Sequence, residues 1–189
     1  AAWFAETMQR LAQRHSNGPY WYSHFTDLYR YAVLHQFGGI YLDTDVIVVR
    51  PFHGLQANAL AMEVGTLDSL IQKRGDVIVN GAVMAFEPGN AFIEACMRRV
   101  EDTYDAQVWG TVGPLLLTDM AREFCAGVKR DGLQQHGASC GPHLTVLPRQ
   151  AFYSAIWLKR KLLKFYEEPI NQEQWSTFLQ SGAYAVHFW

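Results

Sequence analysis

Phe4, Met8, Leu11 and His15 fall at i, i+4, i+7 and i+11, a spacing that predicts an amphipathic helix over residues 3–15. Ser16-Asn17-Gly18-Pro19 ends it. A second helix is expected from Thr26, a suitable N-cap, to Phe37, with Gly38 as the residue just beyond its end. A short strand through Tyr41 and Leu42 follows, then Asp43-Thr44-Asp45 and the uniformly apolar run Val46 to Val49. A strand apolar on both faces implies a central place in a covered sheet. Further strands are expected at Leu60 to Glu63, Ile78 to Phe86, Leu144 to Leu147 and Tyr184 to Phe188. Helices are expected at Ala91 to Tyr104 and Pro114 to Phe124, the latter with proline in its first turn. Strands alternating with helices predict an α/β fold. The length suits one domain spanning residues 1–189, and no internal repeat or linker interrupts it.

A net charge of −2 gives no general attraction to nucleic acid or an anionic membrane. No apolar run reaches membrane-spanning length, and residues 1–20 carry no signal-peptide pattern. The chain opens on Ala1 rather than Met, so it is expected to be a piece of a longer protein. Cys96, Cys125 and Cys140 are too few and too widely spaced for a zinc module. Cys96 lies in a helical pattern and is expected to be a buried thiol. Cys125 and Cys140 flank a polar, glycine-containing loop; a bridge closing it would contribute roughly 3 kcal/mol in the chain-entropy model. The residues leave that bridge and two unrelated thiols equally open.

Asp43 and Asp45 are the candidate chemistry. In an extended segment alternate side chains point the same way, so the two carboxylates are expected to project together while Ile40 and Leu42 pack inward. Two aligned carboxylates with no sulfur or imidazole nearby in sequence suit a hard divalent ion, Mg²⁺ or Mn²⁺, carried with a phosphate. The competing reading is an Asp-rich surface turn. Nine Asp in 189 residues give about 0.4 Asp-x-Asp pairs by chance, so the surroundings must decide. Asp27 and Arg30 lie three apart on the preceding helix, hence on one face. As a functional pair, the Asp accepts from sugar hydroxyls and the Arg brings a charged fork to a phosphate or to the carboxylates. As a structural pair they form a surface ion pair of a few tenths of a kcal/mol.

The block Asp27-Leu28-Tyr29-Arg30-Tyr31-Ala32-Val33-Leu34, followed by Phe37-Gly38-Gly39-Ile40-Tyr41-Leu42-Asp43-Thr44-Asp45, resembles the sugar-binding region of glycosyltransferases that carry the DXD motif, here within residues 23–52. Asn80-Gly81-Ala82-Val83-Met84-Ala85-Phe86 and Trp109-Gly110-Thr111-Val112-Gly113-Pro114 are similar to segments of globotriaosylceramide synthase-like α-1,4-glycosyltransferases. So are Leu147-Pro148-Arg149-Gln150-Ala151-Phe152-Tyr153 and the terminal Tyr184 to Trp189, which extends that likeness over residues 78–189.

The resemblance implies a GT-A-like fold with a central, mostly parallel sheet. It implies a Golgi lumenal catalytic domain that transfers a hexose, with retention of configuration, from UDP-galactose or UDP-N-acetylglucosamine to a glycan or glycolipid. On that resemblance Asp43 and Asp45 hold Mn²⁺ or Mg²⁺, and Asp27, Asp43 and Asp45 are the catalytic set. Asp27, Arg30, Tyr41, Asp43, Asn80 and Gly81 meet the donor. A lumenal setting also favours the Cys125–Cys140 bridge. The family's first nucleotide-binding unit precedes the segment beginning at Trp3, so the chain is expected to be truncated there.

His187 is either a late contact to the metal or diphosphate, as in several GT-A enzymes, or a histidine at the core rim. Asn80 and Gly81 either line the site or form a tight strand-entry turn. Residues 157–165 combine Lys159, Arg160, Lys161 and Lys164 with leucines and aromatics, which reads as a peripheral membrane contact or a solvated helix face. The competing functional classes are an inactive sugar-nucleotide-binding or lectin-like domain and a metal-dependent phosphohydrolase. The last calls for a hydroxyl two residues beyond Asp45, where Ile47 stands, and leaves Asp27 and Arg30 without a task.

Overall fold

A computed structural model describes residues 2–15, 18–73, 75, 77–128, 137–153, 172–180 and 182–187. Helices α1 (Ala2–His15) and α2 (Trp21–Phe37) precede strands β1 (Gly39–Leu42), β2 (Val46–Val48) and β3 (Ala59–Val64). A short helix α3 (Leu67–Ile71), strand β4 (Ile78–Phe86) and helices α4 (Ala91–Thr103) and α5 (Pro114–Phe124) follow. The remaining elements are β5 (Ala138–Ser139), β6 (Thr145–Leu147), a 3-10 turn (Arg149–Ala151), α6 (Gln172–Gln180) and β7 (Ala185–His187).

Five strands form one sheet in the order β1-β4-β3-β6-β5, and β2 pairs with β7 in a separate ribbon. The α/β class is as expected, but the sheet is mostly antiparallel, not mostly parallel. Only β3 and β6 run parallel; β1·β4, β3·β4 and β5·β6 are antiparallel. Strand β4 returns beside β3 in the opposite direction after a connection that holds the five-residue helix α3, and an antiparallel neighbour needs no crossover of the sheet.

The apolar run after Asp45 is not central either. Its strand β2 pairs with β7, and Ile47 and Val48 are 47% and 44% exposed. A turn closed by the Val46 N–H to the Asp43 carbonyl (3.2 Å) takes the chain off the line of β1. Val46 then packs with Ala59, Ala61, Val83 and Phe152 on one face of the sheet. The opposite face carries the main core, where Leu60, Met62, Val79, Met84 and Phe86 meet α2, α4 and α5. Both faces are therefore covered, by helices on one side and by the ribbon on the other.

Strand β4 is bulged. Leu60 lies opposite Met84 but Ala61 lies opposite Asn80, so Gly81 to Val83 are extra on the β4 side. Across the bulge the inward parity switches: Val79 faces the helices before it, Met84 and Phe86 after it. Such bulges re-aim side chains next to functional clefts. Helix α2 starts at Trp21, five residues earlier than expected. Thr26 is inside it, its hydroxyl donating to the Ser23 carbonyl (2.8 Å), so it is not a cap. The Gly38 N–H closes the helix on the Leu34 carbonyl with φ of 64°, as the glycine position requires. Cys125 and Cys140 are bridged, with Cα atoms 4.6 Å apart, and Cys96 is a buried thiol. The basic segment 157–165 lies outside the described residues. Among those described, no helix is long and apolar enough to cross a membrane.

Candidate active site

Helix α2 buries Leu28, Tyr31 and Leu34 completely, each worth roughly 1.5–3 kcal/mol. That anchoring sinks Asp27 and Arg30, on the same side of the helix, to 6% exposure each. They are not a surface ion pair. Arg30 Nη2 meets Asp27 Oδ1 at 3.1 Å and Asp43 Oδ1 at 3.3 Å. Its Nη1 donates to Asp43 Oδ2 at 3.3 Å and to the Gly81 carbonyl at 2.5 Å. The Tyr41 ring lies 4.8 Å from the guanidinium carbon. Arg30 thus spends its terminal nitrogens on two carboxylates and one carbonyl, and fixes both acids from within.

Asp43 ends β1, its N–H donating to the Ala82 carbonyl of the bulge at 2.9 Å. Asp45 stands two residues on, in the turn. The two carboxylates converge because the chain turns, not because an extended strand alternates. Asp45 Oδ1 lies 3.3 Å from Nε2 of His187, which β7 brings opposite Val46. One ligand atom from each of Asp43, Asp45 and His187 lies within 4.8 Å of the others. Around an ion held at about 2.1 Å, two ligand atoms are at most about 4.2 Å apart. The trio therefore fits a divalent cation after contracting by about 0.6 Å.

The bulge is held by its own polar contacts. Asn80 Nδ2 donates to Glu63 Oε2 (2.7 Å), Asn80 Oδ1 accepts the Ala82 N–H (2.8 Å), and Tyr153 donates to the Asn80 carbonyl (3.2 Å). Asn80 and Gly81 are accordingly inside β4, not in a strand-entry turn. A Cβ on Gly81 would stand 3.0 Å from Leu117 and 3.1 Å from Arg30 Nη1. Gly113, just before α5, is closer still to the chemistry: its Cβ would lie 2.3 Å from Asp27 Oδ2.

Electrostatics follow from this burial. Loss of solvent raises Asp27 from the ordinary 3.8 to about 6, with Arg30 pulling it down and Asp43 pushing it up. Burial opposes the Arg30 charge, but Asp27 and Asp43 together outweigh it and raise its pKa. One guanidinium shared by two acids is stabilised by both, while the more buried acid bears the desolvation. Tyr41 is pushed up to about 12, chiefly by burial, and keeps its proton.

Asp27, Arg30, Tyr41, Asp43, Asp45, Asn80, Gly81 and His187 all line one cleft of about 400 Å³. The candidate donor and metal residues named from the sequence are thus brought together. Ser23, Thr26, Trp109 and Pro114 also line it and were not singled out. Starting α2 at Thr26 hid Ser23, one turn before Asp27. Trp109 and Pro114 lie in a noted motif, but their approach to Asp27 is a tertiary fact that no local spacing contains.

Residues 85–189 match the family described as the alpha 1,4-glycosyltransferase conserved region. Residues 2–65 match the glycosyltransferase sugar-binding region containing the DXD motif. The chain is 35% identical to lactosylceramide 4-alpha-galactosyltransferase of Mus musculus, over 100% of this chain and 45% of the relative. It is 34% identical to the Homo sapiens protein of that name, over 100% of this chain and 46% of the relative. Alpha-1,4-N-acetylglucosaminyltransferase of Homo sapiens is 29% identical over 89% of this chain and 43% of its own length. The chain spans about half the length of these curated relatives. No solved structure matches it.

Proposed function

Because the chain belongs to the α-1,4-glycosyltransferase family, we propose that its cleft is the donor site of a metal-dependent, retaining hexosyltransferase with a GT-A-like fold. The donor is a nucleotide sugar, UDP-galactose or UDP-N-acetylglucosamine, after the galactosyl and N-acetylglucosaminyl transferases it is similar to. The acceptor is a glycan or glycolipid bearing a terminal hexose, and the product is an α-1,4 link. The observation that carries this is the meeting of Asp43, Asp45 and His187 beside an Arg30–Asp27 pair sunk in the same cleft.

Asp43, Asp45 and His187 hold the cation. Two carboxylates suit Mg²⁺ or Mn²⁺, and the imidazole tilts the set toward Mn²⁺. Bound there, it supplies charge neutralisation for the departing diphosphate. Arg30 keeps Asp43 aimed at the cation and Asp27 aimed into the cleft, so its effect on the donor passes through both acids. Asp27, ionised above about pH 6, accepts from sugar hydroxyls. Asn80 and Gly81 line the floor.

The anomeric carbon–phosphate oxygen bond breaks, the acceptor oxygen bonds that carbon from the same face, and its proton passes to the leaving phosphate oxygen. Asp27 is tethered to Arg30 and packed against Gly113, which disfavours its use as a nucleophile in double displacement. A glycosyl adduct trapped on any carboxylate would contradict same-face attack. The Cys125–Cys140 bridge suits an oxidising, lumenal compartment such as the Golgi.

Slow hydrolysis of one nucleotide sugar from a panel, dependent on Mn²⁺ or Mg²⁺, is the expected activity. Asp45→Asn should abolish it with unfolding unchanged. Hydrolysis that survives Asp45→Asn would refute the metal assignment, and a protein that binds but never turns over a donor would be a sugar-nucleotide-binding domain instead.

A further inference from the structure

Trp109 is 53% exposed on the rim of the cleft, and nothing in the donor site described above uses it. A chain of contacts gives the cleft a direction. His187 meets Asp45, Asp43 meets Arg30, Arg30 meets Asp27, and Asp27 lies against Gly113. The cation ligands stand at one end; the turn bearing Trp109, four residues before Gly113, stands at the other. With the diphosphate at the cation end and the donor sugar over Asp27, the space beside Trp109 remains for the attacking molecule.

The indole sits on a fixed support. Thr111 N–H to the Val108 carbonyl (3.3 Å) closes a turn with Trp109 and Gly110 at its centre. Gly110 has φ of 74°, as the third position of a type II turn requires. The Gly110 carbonyl accepts from Gly113 (3.0 Å) and Leu115 (3.1 Å), tying the turn to α5. Nε2 of the buried His24 lies 3.1 Å from the Val108 carbonyl, and Tyr31 donates to the Val112 carbonyl at 2.7 Å. A large aromatic carried on a turn held this firmly, and half open to a polar cleft, suits a ligand with one apolar face and a polar edge. A pyranose ring has that shape: its C–H face would cover the indole while its hydroxyls face a cleft that Ser23 and Thr26 also line.

We propose that Trp109 is the acceptor platform, stacking the terminal hexose of the acceptor and setting its approach to the donor; this rests on the transferase function proposed above. The test uses lactose as acceptor and UDP-galactose or UDP-N-acetylglucosamine as donor, with Mn²⁺. Wild-type protein should transfer to lactose. Trp109→Ala should raise the lactose KM about tenfold, the equivalent of about 1.4 kcal/mol, while moving the donor KM less than about threefold. Trp109→Phe, which keeps a ring, should recover most of the lactose affinity. Leu179→Ala, which removes an exposed apolar side chain on α6 that does not line the cleft, should change neither constant.

An unchanged lactose KM in Trp109→Ala would overturn the inference, as would a loss falling on the donor KM instead. Donor hydrolysis without transfer to lactose would overturn the hexose-acceptor class while leaving the donor site standing. No hydrolysis in wild type would remove the transferase function itself, and the platform with it.

Discussion

Gly113→Ala is the most local probe of the donor corner. The added Cβ would stand 2.3, 2.7 and 2.9 Å from Oδ2, Cγ and Oδ1 of Asp27, where ordinary contact begins at 3.4 Å. The nearest oxygen, Oδ2, must retreat by about 1.1 Å, and Oδ1, which meets Arg30 at 3.1 Å, by about 0.5 Å, so the whole carboxylate shifts against its partner. Overpacking of this kind costs roughly 1–3 kcal/mol, and a reacting group misplaced by about 1 Å loses about 100-fold in rate. Urea unfolding and metal-dependent donor hydrolysis would measure the two effects. The cause is isolated by a cycle with Asp27→Ala. If the carboxylate is what the methyl strikes, Gly113→Ala on the Asp27→Ala background should cost under about 0.5 kcal/mol, leaving a coupling of roughly 1–3 kcal/mol. Stability losses that simply add, or a Gly113→Ala protein with wild-type hydrolysis, would refute the close approach as a functional constraint.

His187→Ala should weaken cation binding, read as a rightward shift of roughly tenfold or more in the Mn²⁺ titration of donor hydrolysis, because one of three converging ligands is lost. His24, whose pKa is lowered by burial against the opposing pull of the Val108 carbonyl and Asp105, stabilises the fold as the neutral ring. That contribution is intact above the ordinary imidazole value of 6.5 and declines as pH falls below it, so His24→Gln should flatten stability against pH in that acidic range. Asp27 carries the opposite sign: raised from 3.8 to about 6, it makes stability fall as pH rises through that window, and Asp27→Asn should remove the slope in urea melts. Replacing Cys125 and Cys140 with Ser should lower unfolding stability by roughly 3 kcal/mol, since the bridge closes a 15-residue separation.

Much of the element order was legible because it rests on local chemistry. Proline at the start of α5, Gly38 after α2 and the apolar pairs and runs on either side of Asn80-Gly81 in β4 each mark an element without reference to the rest of the chain. The strand directions were not legible in this way. They depend on which strands pair across the sheet, and pairing between distant segments is not contained in any local pattern. Val46 to Val49 misled for a related reason. Uniform apolarity predicts a strand covered on both faces, yet Ile47 and Val48 are open, and the turn at Asp43 sends that segment to the ribbon. Motif context picked out residues that the fold gathers in one cleft, while Gly113 and Trp109 acquire meaning only once α5 is docked beside α2.

The charge of the corner explains how its parts depend on one another. Among the described residues of the cleft, Asp27, Asp43 and Asp45 have one guanidinium beside them, Arg30, whose terminal nitrogens are already committed to Asp27, Asp43 and the Gly81 carbonyl. The whole chain, at −2, adds no long-range attraction for an anion. A diphosphate approaching these residues alone would meet like charge at short range. On the proposed function, a divalent cation between Asp43, Asp45 and His187 would reverse the sign at that end and leave Asp27 acidic at the other. The cleft would then offer positive charge for the leaving group and an acceptor of hydrogen bonds for the sugar, separated by Arg30. Arg30 is therefore worth more as a spacer between two acids than as a direct phosphate contact. Its burial under Tyr41 and the fully buried flank of α2 is what keeps that spacing fixed.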